Sequence, residues 1–292
     1  MTGAGWASEM RRRVRSALAA ALLIVPALGT PLHAQASRGQ PSDTTAAPPS
    51  GPLFTAHDAV VAGAFVAGTA ALFPFDERLA HWFQRPSLQN SDVASHVATA
   101  ARVLAIPGTL IITPALYIVG RVGHHPHAAD LGLHAGESVV VALGTTFFLK
   151  GLVGRARPFV VNDTNPFDFK FGGGFTDAEN RSSFPSGHAT AAFAMAAATT
   201  AETSRWWPGS ARYMAPLLYG AATLTGLSRM YDDDHWASDI MFAAAIGTFS
   251  GWKVVRFNHQ HPDNWIDRWL LSASIAPTGA GGALVVWSVT TR

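Results

Sequence analysis

The chain has 292 residues, of which 48% are hydrophobic and 14% charged, with a mean hydropathy of +0.17. It contains no cysteine, which excludes disulfides, thiol catalysis and Cys-ligated metal sites. The formal net charge of +2 resides in residues 1–34, where four arginines against one glutamate give +3. This leaves −1 on the remainder, which excludes an electrostatic surface for nucleic acid.

Residues 1–36 are predicted to be an export signal. "RRRVR" is a positive n-region, "SALAAALLIVPALG" an apolar h-region, and "AQA" fits the small-residue cleavage pattern. The alternative is an uncleaved membrane anchor, but the apolar run is short for a span, which favours cleavage. Residues 37–53 are rich in Pro, Ser, Ala and Gly and are predicted to be a flexible linker. We therefore expect an exported, periplasm-facing protein of the cell envelope.

Six apolar segments follow the linker, at about residues 56–73, 97–119, 136–154, 188–203, 212–228 and 236–256. Their Ala, Leu and Met content favours helices. We predict an all-α fold, a single bundle of about six core helices that occupies residues 54–257. The C-terminal tail, residues 258–292, contains "SASIAP" and "ALVVWSV" around "TGAGG", a pattern that predicts a small β-hairpin.

The relation of this bundle to a membrane stays open at this stage. Only the first two segments approach the roughly 20 apolar residues that a span needs. The third has about a dozen apolar residues between Glu137 and Lys150, and the fourth is rich in Ala and Thr. A soluble or peripheral globule and an integral inner-membrane bundle both fit these lengths. Six tryptophans form either an interfacial belt or part of the core: Trp206, Trp207, Trp252, Trp265, Trp269 and Trp287.

The stretch "KGLVGRARP" is the first of three that could carry chemistry. Lys150 and Arg157 are seven residues apart, which places them on one face of a helix. Pro158 predicts that this helix ends near Arg157. Arg155 points elsewhere on the helix and is predicted to be a surface charge. The alternative to a functional role is simple stabilisation, because cations are favoured at a helix C-terminus.

The stretch "RSSFPSGHATAAF" predicts a helix that begins at an anion site. Ser186 is a preferred N-cap residue, and Gly187 lets the backbone approach a ligand closely. Free backbone N–H groups at such a helix start bind anions, and His188 lies in the first turn beside them. The alternative is an ordinary capped helix with a chance histidine.

The stretch "SRMYDDDHWASD" contains a histidine and an aspartate with helical spacing. His235 and Asp239 are four residues apart, so the carboxylate can hold one imidazole nitrogen and leave the other free to attack. Arg229 precedes them and can bind an anion at the same place. The three aspartates at 232–234 are predicted to stabilise a helix start, or one of them to raise the pKa of His235.

Together the three stretches supply what phosphoryl transfer without a metal requires. Cations neutralise the phosphoryl oxygens, a nucleophile attacks the phosphorus in line, and a proton donor serves the leaving oxygen. The residues alone do not decide which of His188 and His235 attacks, although the partner Asp239 favours His235.

The patterns K-x6-RP, PSGH and SR-x5-H-x3-D resemble the signature of the type 2 phosphatidic acid phosphatase / vanadium haloperoxidase superfamily, which includes membrane lipid phosphatases and bacterial class A acid phosphatases. The resemblance implies an all-helical phosphatase that works through a phosphohistidine, with no metal and no cofactor. It makes His235 the nucleophile, Asp239 the residue that orients it, and His188 the acid that protonates the leaving alkoxide. It also implies a set of ligands for the phosphoryl oxygens: Lys150, Arg157, Ser186, Gly187 and Arg229.

The expected activity is hydrolysis of a phosphomonoester or pyrophosphate, with a membrane lipid as the favoured substrate. Candidates are phosphatidate, phosphatidylglycerol phosphate, undecaprenyl pyrophosphate and lipid A phosphates. The alternatives are a broad-specificity periplasmic acid phosphatase, a haloperoxidase that uses vanadate, and a catalytically silent helical protein. No nucleic-acid partner is expected, and the oligomeric state stays open.

Two further stretches of the sequence give weaker functional signals. "GHHPHAAD" contains His124, His125 and His127, but Pro126 interrupts helical pairing, so a solvated loop is predicted rather than a metal site. "FKFGGGFTD", residues 169–177, is either a mobile flap over the phosphate site or a plain surface loop.

Overall fold

The structure, a computed structural model, describes residues 51–271, 273–277 and 283–287. All of them belong to one unit, Ala47–Arg292. The predicted export signal, residues 1–36, and nearly all of the linker, residues 37–53, lie outside the described residues.

Helices make up most of the described residues, as the sequence predicts. In chain order they are α1 (Ala56–Leu72), α2 (Asp76–Phe83), α3 (Pro86–Gln89), α4 (Asp92–Val103), α5 (Thr109–Val122), α6 (Pro126–Val153), α7 (Gly173–Thr176), α8 (Gly187–Trp206), α9 (Ala211–Tyr231), α10 (Ala237–Gln260) and α11 (Trp265–Leu270). Strands β1 (Ala273–Pro277) and β2 (Ala283–Trp287) follow and pair antiparallel. The all-α bundle is confirmed, and the hairpin occurs where the tail predicts it.

The core is built from small residues on α8 and α10, which let these two helices pack closely. A Cβ atom added to Gly247 would lie 2.4 Å from the carbonyl oxygen of Thr190, and one added to Gly251 would lie 2.5 Å from the Cβ of Ala197. Buried alanines of both helices, together with Phe193 of α8, surround these contacts. The close approach fixes the relative position of the two helix starts, and both starts carry motif residues.

The second predicted segment is two helices rather than one. Helix α4 ends at Val103, and the chain passes through Leu104–Gly108 before α5 begins. Ile106 in this connection has φ −140° and ψ 119°, which is extended rather than helical backbone. The following Pro107 explains the break, because proline disfavours the helical region for the residue before it.

The third predicted segment belongs to a helix that is longer than expected. This helix also ends before Arg157, near which the sequence predicts its end. Helix α6 begins at Pro126 and has 28 residues. It ends at Val153 because Gly154 adopts a left-handed conformation, φ 59°, where a Cβ would lie 1.9 Å from the carbonyl oxygen of Lys170. Arg157 therefore lies beyond the helix, and the prediction that it shares a helical face with Lys150 was wrong.

Three helical segments are long and apolar enough to cross a membrane: Ala56–Phe83, Asp92–Val122 and Pro126–Val153. The prediction that only the first two approach this length was wrong, because the third begins at Pro126. Large apolar side chains on these segments are exposed, among them Val140, Phe147 and Phe148 on α6. Exposed apolar surface on helices of this length supports association with a membrane.

Five of the six tryptophans for which a belt and a core position were both open have described side chains, and the belt stays a prediction. Trp207, Trp265 and Trp269 are exposed, whereas Trp206 and Trp252 are half-buried. None of these five lies in the buried core. Trp287 belongs to β2, and its side chain lies outside the described part of the chain.

The close contact of α8 and α10 can be tested at Gly247. Gly247→Ala should lower the free energy of unfolding by about 1–3 kcal/mol, because the new methyl group meets backbone that cannot move alone. Denaturant unfolding followed by circular dichroism measures the change. Gly144→Ala in α6 is the matched control, since nothing lies within 4 Å of its added Cβ. It should be unchanged or more stable by about 0.5–1 kcal/mol, and equal losses in both variants would contradict the packing argument.

Candidate active site

The three motif stretches meet at one end of the bundle. The end of α6 supplies Lys150, the start of α8 supplies His188, and the turn between α9 and α10 supplies His235. A Cβ on Gly187 would lie 3.9 Å from the Cε of Lys150, so the first and second stretches are in contact. The backbone N–H of Ser186 donates to the carbonyl oxygen of Asp239 over 3.4 Å, which joins the second and third.

His235 and Asp239 form the predicted pair. The Nδ1 atom of His235 lies 3.6 Å from Oδ2 of Asp239, and this nitrogen is buried without a hydrogen-bond partner. The backbone N–H of Trp236 donates to the same carboxylate oxygen over 2.9 Å, which caps the first turn of α10. Burial, together with the ammonium group of Lys150, lowers the pKa of His235 to about 3. The imidazole is therefore neutral at neutral pH, the form that a nucleophile needs.

Arg155 is a central residue of the site, and the prediction that it is a surface charge was wrong. Its side chain is 0% exposed. The guanidinium donates to Oδ1 of Asp239 over 2.5 Å and to Oδ2 of Asp76 on α2 over 2.8 Å. It also donates to the carbonyl oxygen of Pro166 and lies 4.6 Å from the ring centroid of Phe73. Because the helix stops before Arg155, its side chain turns inward rather than to the helix surface.

The basic side chains predicted to bind phosphate contact other groups of the protein. Lys150 donates to the carbonyl oxygen of Ser182, and Arg157 donates to the hydroxyl oxygen of Ser182 over 3.1 Å. Arg157 also contacts Oδ1 of Asp234 over 2.5 Å, and Arg229 contacts Oδ2 of the same carboxylate. Asp234 thus bridges two of the three predicted cations.

The start of α8 has the predicted form. Ser186 is the N-cap, and its hydroxyl oxygen accepts from the backbone N–H of Ala189. Gly187 and His188 form the first turn, so free N–H groups lie beside the cations. Burial, together with the charge of Arg229, lowers the pKa of His188 to about 4, whereas Asp234 opposes this shift. The structure brings all eight predicted site residues together. Their catalytic and binding roles stay predictions.

The three aspartates do not begin a helix, so that prediction was wrong. Asp232 is the C-cap residue of α9, and α10 begins only at Ala237. Asp232 pairs with Arg229 and with Arg102 of α4. The pKa of His235 is lowered overall, because burial and Lys150 outweigh Asp239. A contribution of one of the three aspartates to this pKa stays a prediction.

Asp233 and Asp234 have pKa shifts of opposite direction. Asp233 adopts φ 61° and lies close enough to Asp163 for the two carboxyl groups to interact. Burial, and then the charge of Asp163, raise the pKa of Asp233 to about 8. Asp234 has the opposite shift: burial acts against it, but Arg229 and Arg157 hold the pKa of this carboxyl below its ordinary value.

The two weaker patterns adopt structures that the sequence did not specify. The glycine-rich segment contains α7, and a Cβ on Gly174 would lie 2.1 Å from the carbonyl oxygen of Lys150. It packs on the end of α6 rather than extending as a plain loop, while its role as a flap stays a prediction. His124 and His125 are exposed, but His127 lies within α6 and stacks on Trp206 with ring centroids 4.8 Å apart.

The helical bundle thus brings basic side chains, a capped helix start and a His–Asp pair together at one end. Residues 131–263 match the model of the PAP2 superfamily. This match confirms the resemblance of the three motifs to that superfamily.

Two further comparisons give similar proteins. A segment of 90 residues is 34% identical to a lipid A 1-phosphatase of Porphyromonas gingivalis. The segment covers 30% of this chain and only 19% of that relative. The crystal structure of the first transmembrane PAP2 type phosphatidylglycerolphosphate phosphatase from Bacillus subtilis is also similar. It matches 70% of this chain and 96% of its own at 19% identity, with a TM-score of 0.45.

The structural importance of Arg155 can be tested directly. Arg155→Met should lower the free energy of unfolding by about 3–5 kcal/mol, because it leaves two buried carboxylates without their cation. The measurement is denaturant unfolding of the purified protein. Arg181→Met removes a partly exposed pair with Asp168 and should cost less than about 1 kcal/mol. Similar losses in both variants would contradict the central role of Arg155.

Asp234 can be tested as a competitor of phosphate. In Asp234→Asn, inorganic phosphate should inhibit about tenfold more strongly, because a like charge no longer opposes it on the two arginines. The variant also removes a charge that raises the pKa of His188. If His188 is the general acid, the alkaline limb of kcat/KM should therefore move to lower pH.

Asp233→Asn is the matched control for this experiment. Burial and the neighbouring Asp163 raise the pKa of Asp233, whereas the pKa of Asp234 is lowered, so an amide at position 233 removes less negative charge than one at 234. Its phosphate inhibition at pH 7 should equal that of the wild type. An Asp234→Asn variant with unchanged inhibition and an unchanged pH profile would exclude competition by this carboxylate.

Proposed function

We propose that the protein is a metal-independent phosphoric ester hydrolase that removes a phosphate group from a membrane lipid. The observation that supports this most directly is the position of a neutral, buried His235 between Asp239 and the basic residues Lys150, Arg157 and Arg229. Such an arrangement favours attack of an uncharged nucleophile on a group whose oxygens carry negative charge.

In the proposed first step, Nε2 of His235 attacks phosphorus, and the bond from phosphorus to the leaving oxygen breaks. The leaving alkoxide takes a proton from His188, which lies at the start of α8. The pKa of His188 is low in the free protein, and a bound phosphate dianion raises it by placing negative charge beside the ring.

In the second step, His188 accepts a proton from water, and the resulting hydroxide displaces His235 from phosphorus. Asp239 stabilises the charge that develops on the His235 ring and holds Nδ1 in a fixed direction. Inorganic phosphate then leaves the cations, and Asp234 returns to the two arginines.

A lipid substrate is supported by exposed aromatic residues around the site. The connection from α6 to α8 carries Phe159, Phe167, Phe171 and Phe175, with exposed fractions of 42%, 60%, 80% and 63%. The backbone N–H of Phe159 donates to the carbonyl oxygen of Asp233, so this connection lies beside the charged turn. Exposed aromatic side chains next to a phosphate site, together with three helices long enough to span, suit a headgroup that is presented by a membrane.

The relatives add support for this class of substrate. One of them is a lipid A 1-phosphatase and another a phosphatidylglycerolphosphate phosphatase. We propose a phosphorylated membrane lipid as the substrate and the periplasmic face of the inner membrane as the site of action.

The proposal can be tested with two variants and two substrates. His235→Ala should lower phosphate release by at least about 10³-fold on both phosphatidate vesicles and soluble p-nitrophenyl phosphate, because it removes the nucleophile. Phe171→Ser should lower the rate on vesicles severalfold and leave the soluble ester unchanged, since it removes only an apolar contact at the rim.

His261→Gln, an exposed histidine far from the site in sequence, is the control and should retain both rates. Vanadate should inhibit the wild type as a phosphate mimic. Retained hydrolysis in His235→Ala would exclude the proposed nucleophile. Bromide oxidation by the vanadate-loaded protein with peroxide would favour the haloperoxidase alternative.

A further inference from the structure

A second cluster of ionisable side chains lies at the opposite end of the bundle. His134 of α6, Glu202 of α8, His259 of α10 and Asp267 of α11 come together there. His134 precedes Lys150 by 16 residues on one helix, which places the cluster about 24 Å along α6 from the phosphate site. The proposed phosphoryl transfer uses none of these residues.

Two imidazole rings contact the carboxylate group of Glu202. Nδ1 of His134 contacts Oε1 of Glu202, and Nε2 of His259 lies 2.9 Å from Oε1 and 3.0 Å from Oε2. The two imidazole rings are nearly perpendicular, at 85°, with centroids 5.2 Å apart. Glu202 is 0% exposed and His134 2% exposed. Three potential ligand atoms therefore lie within 4.8 Å of one another in a nearly dry environment.

We propose that His134 Nδ1, Glu202 and His259 Nε2 bind a divalent transition-metal ion of the zinc type. Two imidazoles and one carboxylate are a ligand set that zinc accepts, usually with a fourth ligand. The proposal stands independently of the proposed phosphatase activity. The metal would join three long helices at the end of the bundle that the active site does not occupy.

Asp267 supplies the second observation that points to a metal. Its Oδ1 lies 3.5 Å from Nε2 of His134, and both atoms are buried without a hydrogen-bond partner. A histidine that binds a metal through one nitrogen commonly directs the N–H of the other toward a carboxylate. If Nδ1 of His134 binds the ion, Nε2 carries the proton and Asp267 is placed to accept it after a small approach.

The surroundings of the cluster also suit a cation. Asp130 and Glu137 of α6 are close enough to interact electrostatically with His134, and Oε1 of Glu137 is buried without a hydrogen-bond partner. A divalent ion would offset part of this concentrated negative charge. Zinc holds neighbouring ligand atoms about 3.3 Å apart when each is about 2.0–2.1 Å from the ion. On binding, the carboxylate would therefore move slightly away from the two imidazoles, and the two imidazole nitrogens, which lie within 4.8 Å, would approach each other by up to about 1.5 Å.

Metal analysis and thermal unfolding of the full chain test this proposal. The protein is purified in detergent through a tag that contains no histidine, from cells grown with added zinc. We expect about one zinc ion per chain by elemental mass spectrometry. Removal of the ion with a chelator should lower Tm by several degrees, and added zinc should restore it.

Two variants and one control make the result decisive. Glu202→Gln and His259→Gln should each lower zinc content or zinc affinity by at least about tenfold. His259 is partly exposed, so its variant should still fold if the buried Glu202→Gln does not. His261→Gln, two residues further on and exposed, should retain the metal. A wild-type protein without zinc above background, and with a Tm that neither zinc nor chelator changes, would show a metal-free ion-pair network instead.

Discussion

The buried guanidinium of Arg155 is the interaction on which the active end of the bundle depends. A charge removed from water is costly unless paired charges and hydrogen bonds surround it. Arg155 meets this condition with Asp76, Asp239 and the carbonyl oxygen of Pro166. Asp76 lies on α2 and Asp239 on α10, so one side chain joins elements that are far apart in the chain. The site cannot be assembled without this part of the fold.

The constraint passes from Arg155 to the histidine through Asp239. One oxygen of this carboxylate accepts from Arg155, while the other accepts from the Ser183 hydroxyl and from the backbone N–H of Trp236. Three donors therefore fix the plane of the carboxylate, and its second oxygen faces Nδ1 of His235. Trp236 is itself held by a bond from its indole N–H to the carbonyl oxygen of Ala156, the residue after Arg155. The carboxylate that faces the imidazole is therefore held in position before a substrate arrives.

The sequence predicts the motif residues well because their chemistry depends on local spacing. The serine cap, the first turn of α8 and the His–Asp pair all follow from separations of four residues or fewer. Arg155 could not be predicted, because its direction depends on the left-handed Gly154 that ends α6. Asp76 gave no signal either, since it is 79 residues from Arg155 and belongs to no motif.

The same limit explains the underestimated length of α6. Its first residues include His127 and Asp130, which belong to the stretch predicted to be a solvated loop, and His134 follows one turn later. In the fold, His127 stacks on Trp206 and His134 is buried against Glu202. These contacts join residues that are far apart in the sequence, and hydropathy alone cannot show them. The predicted helix therefore began too late, and a segment long enough to span a membrane was missed.

The aspartates of the α9–α10 turn explain how the site remains folded without a ligand. Arg102, Arg157 and Arg229 lie close together, and their charges would repel one another across a half-buried space. Asp232 and Asp234 neutralise them in the free protein. Under the proposed function, substrate binding is an exchange of anions, in which a phosphate takes arginine contacts that Asp234 gives up. The net gain in binding is smaller than the number of cations suggests, and release of the phosphate product is easier for the same reason.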